Sequence, residues 1–101
     1  MAIQEAVKTI VESLVENPQD VQVTSEEFEE NRLRINIQVN PQDRGRVIGR
    51  QGKTINALRT VIKAVGLKAR QRINIKIIEE DGTVVSDDRD DRDDRDDSVQ
   101  G

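Results

Sequence analysis

Apolar residues Ile3, Val7, Ile10, Val11, Leu14 and Val15 recur at the spacing of one helical face, and the pattern stops at Asn17-Pro18. A proline disfavours helical backbone in the residue before it, so the first helix is predicted to end there. Val21 and Val23, then Leu33, Ile35, Ile37 and Val39, alternate with polar residues. That period predicts two strands with one covered face, and the polar stretch between them suits a hairpin connection.

Asn40-Pro41-Gln42-Asp43 reads as a helix start, with Asn40 as N-cap, Pro41 at the first helical position and Asp43 in the first turn. This second helix is short, because Gly49 follows soon. Beyond Gly52 a longer helix is predicted, with Ile55, Leu58, Ile62, Val65 and Ala69 on one face and Lys53, Asn56, Arg59 and Lys63 away from it. Gly66 lies near its end, a position where the helix frays or terminates. Ile73, Ile75 and Ile77 then alternate with Asn74, Lys76 and Ile78 as a third strand, reached from the second by a two-helix crossover. The predicted order is α-β-β-α-α-β.

With 101 residues the chain suits one domain, assigned to residues 1–80, and one small core. Residues 81–101 are expected to be a disordered acidic tail, because Asp-Asp-Arg repeats three times from Asp87 and offers nothing to bury. The chain has no cysteine and no histidine, which removes disulfides, the commonest zinc ligands and the usual general base. Acidic pairs such as Glu26-Glu27 and Glu79-Glu80 have no nucleophile or cofactor loop beside them, so neither a reaction nor a cofactor is expected. No segment approaches the roughly 20 apolar residues of a membrane span, and no basic-then-apolar leader opens the chain. A soluble cytoplasmic protein without a membrane partner is the expectation.

The formal net charge of −4 conceals a strong polarity. Residues 1–30 carry −7, whereas residues 31–78 carry +11, with twelve basic residues against Asp43 alone. The basic middle provides the local positive potential that a polyanion needs. Opposite in sign, the tail from Ser86 is a candidate to fold back over the basic stretch and compete with a nonspecifically bound polyanion.

Within the basic stretch stands Val47-Ile48-Gly49-Arg50-Gln51-Gly52-Lys53-Thr54-Ile55-Asn56-Ala57-Leu58. Two glycines let a backbone turn sharply and approach a sugar-phosphate chain closely. The helix after Gly52 aims the positive end of its dipole at the same place, with Arg50 and Lys53 beside it. This segment resembles the KH signature, in which V-I-G-x-x-G joins two helices. Nearly all of residues 1–80 resembles the type II form and the small bacterial stand-alone KH proteins of the KhpA type.

The resemblance implies an α+β fold, with helices packed on one face of a three-stranded mixed sheet, and binding of single-stranded RNA. It places a backbone clamp on Gly49, Arg50, Gln51 and Gly52, with Lys53 beside it. It places a base groove on Val47, Ile48, Ile55 and the second strand, at Ile35 or Ile37, and Arg46, Asn56 and Arg59 complete the expected contact set. Such a module binds weakly by itself, at about micromolar. A homodimer or a complex with a second KH-containing RNA-binding protein is therefore expected, acting as an RNA chaperone or post-transcriptional regulator.

Two other readings stay open. The glycines also fit a plain helix-turn-helix corner, and the domain also fits a protein-interaction module on the ribosome or a larger RNA-protein complex. Phe28, the only aromatic residue, argues against RNA-binding folds that stack bases on several aromatic side chains.

Overall fold

In the computed structural model, residues 3–27, 29 and 31–86 are described; Phe28 and the acidic tract from Asp87 onward lie outside them. Helix α1 (Ile3–Leu14) is followed by a 3-10 turn at Pro18–Asp20 and strands β1 (Gln22–Glu27) and β2 (Arg32–Gln38). A second 3-10 turn, Pro41–Asp43, leads into α2 (Arg44–Ile48), and a third, Arg50–Gly52, into α3 (Lys53–Lys68). Strands β3 (Arg72–Ile78) and β4 (Val84–Ser86) complete the described chain.

The sheet order is β1-β2-β3-β4. The β1–β2 pair is an antiparallel hairpin, and β2 and β3 run parallel in full register from Arg32–Arg72 to Gln38–Ile78. The parallel pair follows from the two-helix crossover, which returns the chain to the start of β2 before it enters β3.

Alternation does the sorting. In β2, Leu33, Ile35 and Ile37 are buried while Arg32, Arg34, Asn36 and Gln38 remain half-exposed on the opposite face; β3 repeats this with Ile73, Ile75 and Ile77. Val7 and Val11 of α1, Val47 of α2 and Ile55, Leu58 and Ile62 of α3 join those isoleucines in one cluster. Burying one such side chain contributes about 1.5–3 kcal/mol. Exposed ion pairs such as Arg46–Glu16 contribute about 0–1 kcal/mol. Packing therefore fixes how α2 and α3 meet.

Two expectations are corrected. Among the described residues the sheet has four strands, because Glu79–Thr83 reverses the chain and β4 pairs antiparallel with β3 past the expected domain boundary at residue 80. Asp81 accepts from the Thr83 amide at 2.9 Å, and the Gly82 N–H donates to the Glu79 carbonyl at 2.9 Å. In α3 the buried stripe runs Ile55, Leu58, Arg59, Ile62 and Gly66, while Val65 is 45% exposed. Gly66 lies inside the helix, where a Cβ would come within 2.7 Å of Ile73 Cδ1 and 2.8 Å of the Gln71 carbonyl. Its missing side chain lets α3 close onto the entrance to β3. The helix ends instead at Lys68 with Ala69 as its C-cap, and Arg70 just beyond has a φ of +62°.

Candidate nucleic-acid interface

Helix α2 is only five residues long and stops at Gly49, whose φ of 80° and ψ of 170° is open to glycine and almost nothing else. A Cβ there would also lie 2.7 Å from the Thr54 backbone nitrogen, which belongs to the rigid first turn of α3. Gln51 (φ 56°) and Gly52 (φ 78°) continue in left-handed conformations. Gly52 donates its N–H to the Gly49 carbonyl at 3.1 Å and Lys53 donates to the Arg50 carbonyl, closing the turn on itself.

This turn pushes Arg50 and Gln51 outward, and both are exposed at the head of the 16-residue α3, with Lys53 exposed beside them. Among the described residues neither Arg50 nor Lys53 forms an ion pair. Two full charges thus add to the positive end of a four-turn helix dipole. Asn56 lies one turn further on, its amide nitrogen 3.5 Å from where a Cβ on Gly52 would sit.

The base of the turn is anchored by Asp43, which is 1% exposed. Its carboxylate accepts from the Glu16 and Asn17 backbone amides at 3.2 and 3.1 Å and from the Asn17 side chain at 3.0 Å. Burial alone would push this carboxyl up; the Asn17 side chain, the two amides and the Arg46 charge outweigh it and hold it below its ordinary 3.8. Asp43 thereby ties the segment after α1 to the start of α2. Arg46 leans the same way, 2.9 Å from Glu16 and 3.8 Å from Asp43. The sequence marked Asp43 only as a first-turn acid; its isolation within the basic stretch was the available signal.

The expected contact residues divide into two groups. Gly49, Arg50, Gln51, Gly52, Lys53 and Asn56 form one continuous surface, with Ile48 half-buried at its edge and Arg46 exposed but engaged with acids. Val47, Ile55, Ile35 and Ile37 are at most 1% exposed and belong to the core, so the groove assigned to them is corrected to structural packing. Arg59 is 6% exposed and points inward. It donates to the Ile75 carbonyl, Ser86 Oγ and Asn56 Oδ1. Among the described residues there is no cluster suited to a metal ion, and no helix is long and apolar enough to cross a membrane.

Comparison with known proteins agrees with this geometry. The family described as KhpA/KhpB, KH domain matches residues 4–77, which include both helices flanking the turn. The RNA-binding protein KhpA of Clostridium perfringens is 40% identical over 76 residues, covering 75% of this chain and 100% of its own length. That of Listeria monocytogenes is 42% identical over 77 residues, 76% of this chain and all of its own. In Streptomyces coelicolor a protein of the same name is 45% identical over 64 residues, 63% of this chain and 80% of its own. No solved structure matches. A two-helix hinge on Gly49 and Gly52, carried on a β-β-α-α-β core and matched at this identity across whole relatives, makes the chain a member of the KhpA/KhpB KH-domain family.

Proposed function

We propose that this chain binds single-stranded RNA by gripping its sugar-phosphate backbone on the Gly49–Gly52 turn, without performing a reaction. The observation that carries this reading is the exposure of Arg50 and Lys53, outside any ion pair among the described residues, where two glycines leave the backbone bare at the head of α3. A phosphate is the ligand that such a helix start accommodates best. Relatives that the chain matches over their whole length carry the name RNA-binding protein, which supports the same ligand. Arg59 is left out of the phosphate contacts because its guanidinium is used inside the fold.

The test is the double substitution Arg50→Asp, Gln51→Asp. Both residues are exposed, so the circular dichroism spectrum and melting temperature stay near those of the parent. Oligoribonucleotide binding is lost, because two negative charges now face the phosphates. Undiminished RNA binding by this variant contradicts the reading.

Weak binding by one module makes a second RNA site valuable, since linked sites gain avidity without new contacts. A dimer with another copy, or with a second KH-containing RNA-binding protein, is the proposed working form, in a cytoplasmic post-transcriptional or RNA-chaperone role. Val61 and Val65, one turn apart on the outer side of α3 and 55% and 45% exposed, support such a contact. Sedimentation of the Val61→Glu variant as a lighter species than the parent tests it.

A further inference from the structure

Helix α3 begins at the clamp and runs for 16 residues, about 24 Å, to the entrances of β2 and β3. Along it Lys53, Asn56, Thr60, Lys63 and Leu67 succeed one another at steps of three and four residues. Such steps keep them on one face of the helix. Four are exposed and Lys63 is half-buried. No carboxylate interrupts this line.

The line ends in a groove of about 390 Å³ to which three segments contribute: Arg32 from β2, Lys63 and Leu67 from α3, and Gln71, Arg72 and Asn74 from the entry into β3. A hollow of about 360 Å³ adjoins it, shares Arg32, Leu67, Gln71 and Arg72, and adds Arg70. Among the described residues lining the two, four are cationic and Glu29 alone is acidic, 3.5 Å from Arg32 and 70% exposed. At the centre Leu67 is 77% exposed, the most exposed large apolar residue described.

These features demand different things of a ligand. The cations call for negative charge, the bare leucine for a flat or apolar surface, and the Gln71 and Asn74 amides for paired donors and acceptors. A nucleotide in a polyanionic strand supplies all three. Inorganic phosphate supplies no flat or apolar surface, and a carboxylate-rich peptide, whose backbone amides can pair with Gln71 and Asn74, likewise offers none to Leu67.

Resting on the RNA reading of the clamp, we propose that this face of α3 is a track leading the bound strand to a second nucleotide-binding groove at the far end of the helix. Arg70, Arg72 and Lys63 hold phosphates there, and Leu67 covers a base. The clamp alone holds about four nucleotides. The groove is therefore reached only by longer strands, and its contribution depends on length.

The experiment compares oligouridylates of about four and about twelve nucleotides by fluorescence anisotropy on the full chain. Charge reversal in the double variant Arg70→Glu, Arg72→Glu weakens the longer strand by roughly tenfold or more and the shorter by less than about twofold. Leu67→Ala is the second variant. Its side chain lies outside the core, so the fold is retained, and it weakens the longer strand severalfold with the shorter unchanged. Equal losses for both lengths, or no loss for the longer one, overturn the proposal. So does displacement of the longer strand by an oligoaspartate of matched charge, which would make the groove a general seat for acidic chains. If the parent binds neither oligonucleotide, the clamp reading itself has failed, a separate result.

Discussion

Arg59 donates from Nε and Nη2 to the carbonyl oxygen of Ile75, at 3.2 and 3.0 Å, so a buried cation on α3 is held by the backbone of β3. The same guanidinium reaches Ser86 Oγ at 3.1 Å and Asn56 Oδ1 at 3.2 Å. One side chain thus joins the long helix, the third strand, the added fourth strand and the residue beside Gly52. A lysine presents a point charge and lacks this fork.

Arg59→Ala is expected to lower stability by about 2–3 kcal/mol, through lost charge-assisted hydrogen bonds and a cavity beside β3. Arg59→Lys recovers only part of this. Urea denaturation measures both, and RNA affinity of the folded variants changes by much less than after reversal of Arg50. A stable Arg59→Ala variant that no longer binds RNA would return Arg59 to the contact set.

The two glycines of the turn are expected to differ. Gly49→Ala meets the Thr54 backbone in a region of φ and ψ closed to other residues, and costs about 3 kcal/mol or more. Gly52→Ala meets nothing closer than Asn56 Nδ2 at 3.5 Å and costs about 1–2 kcal/mol, the ordinary left-handed penalty. Melting temperatures of the pair decide this; equal shifts would mean that Gly49 and Thr54 are not in close contact.

Asp43 links the fold to acid. Its carboxyl is held below its ordinary 3.8, so the folded state binds this proton less readily than the unfolded one. The stabilisation is complete above about pH 3.8 and is lost as the pH falls through the lower folded value. Asp43→Asn is therefore less stable than the parent at neutral pH, and the difference shrinks toward pH 3. Thermal melts across that range measure it, and a gap that stayed constant would remove Asp43 from the acid response.

Element types and their order were legible because strand and helix periods alternate cleanly from Ile3 to Ile78. Three features were read by residue type where position ruled. Arg59 follows Ile55 by four residues and sits on the buried face, yet its charge argued for solvent. Gly66 occupies the core position that was assigned to Val65, because close approach to Ile73 needs the smaller residue. Asp81-Gly82 between Ile77-Ile78 and Val84-Val85 is a strong hairpin signal, masked by the acidic run around it. At the interface the turn and its charges were readable from glycine spacing. Which isoleucines line a groove and which fill the core was not, because both roles select the same side chains.

Backbone gripping by the Gly49–Gly52 turn is tested most directly by titrating a short oligouridylate into the isotope-labelled chain and following its amide resonances. The amides of residues 49 to 53 should shift first and furthest, with Asn56 next. If those five stay still while resonances elsewhere move, RNA is bound by another surface and the clamp is contradicted.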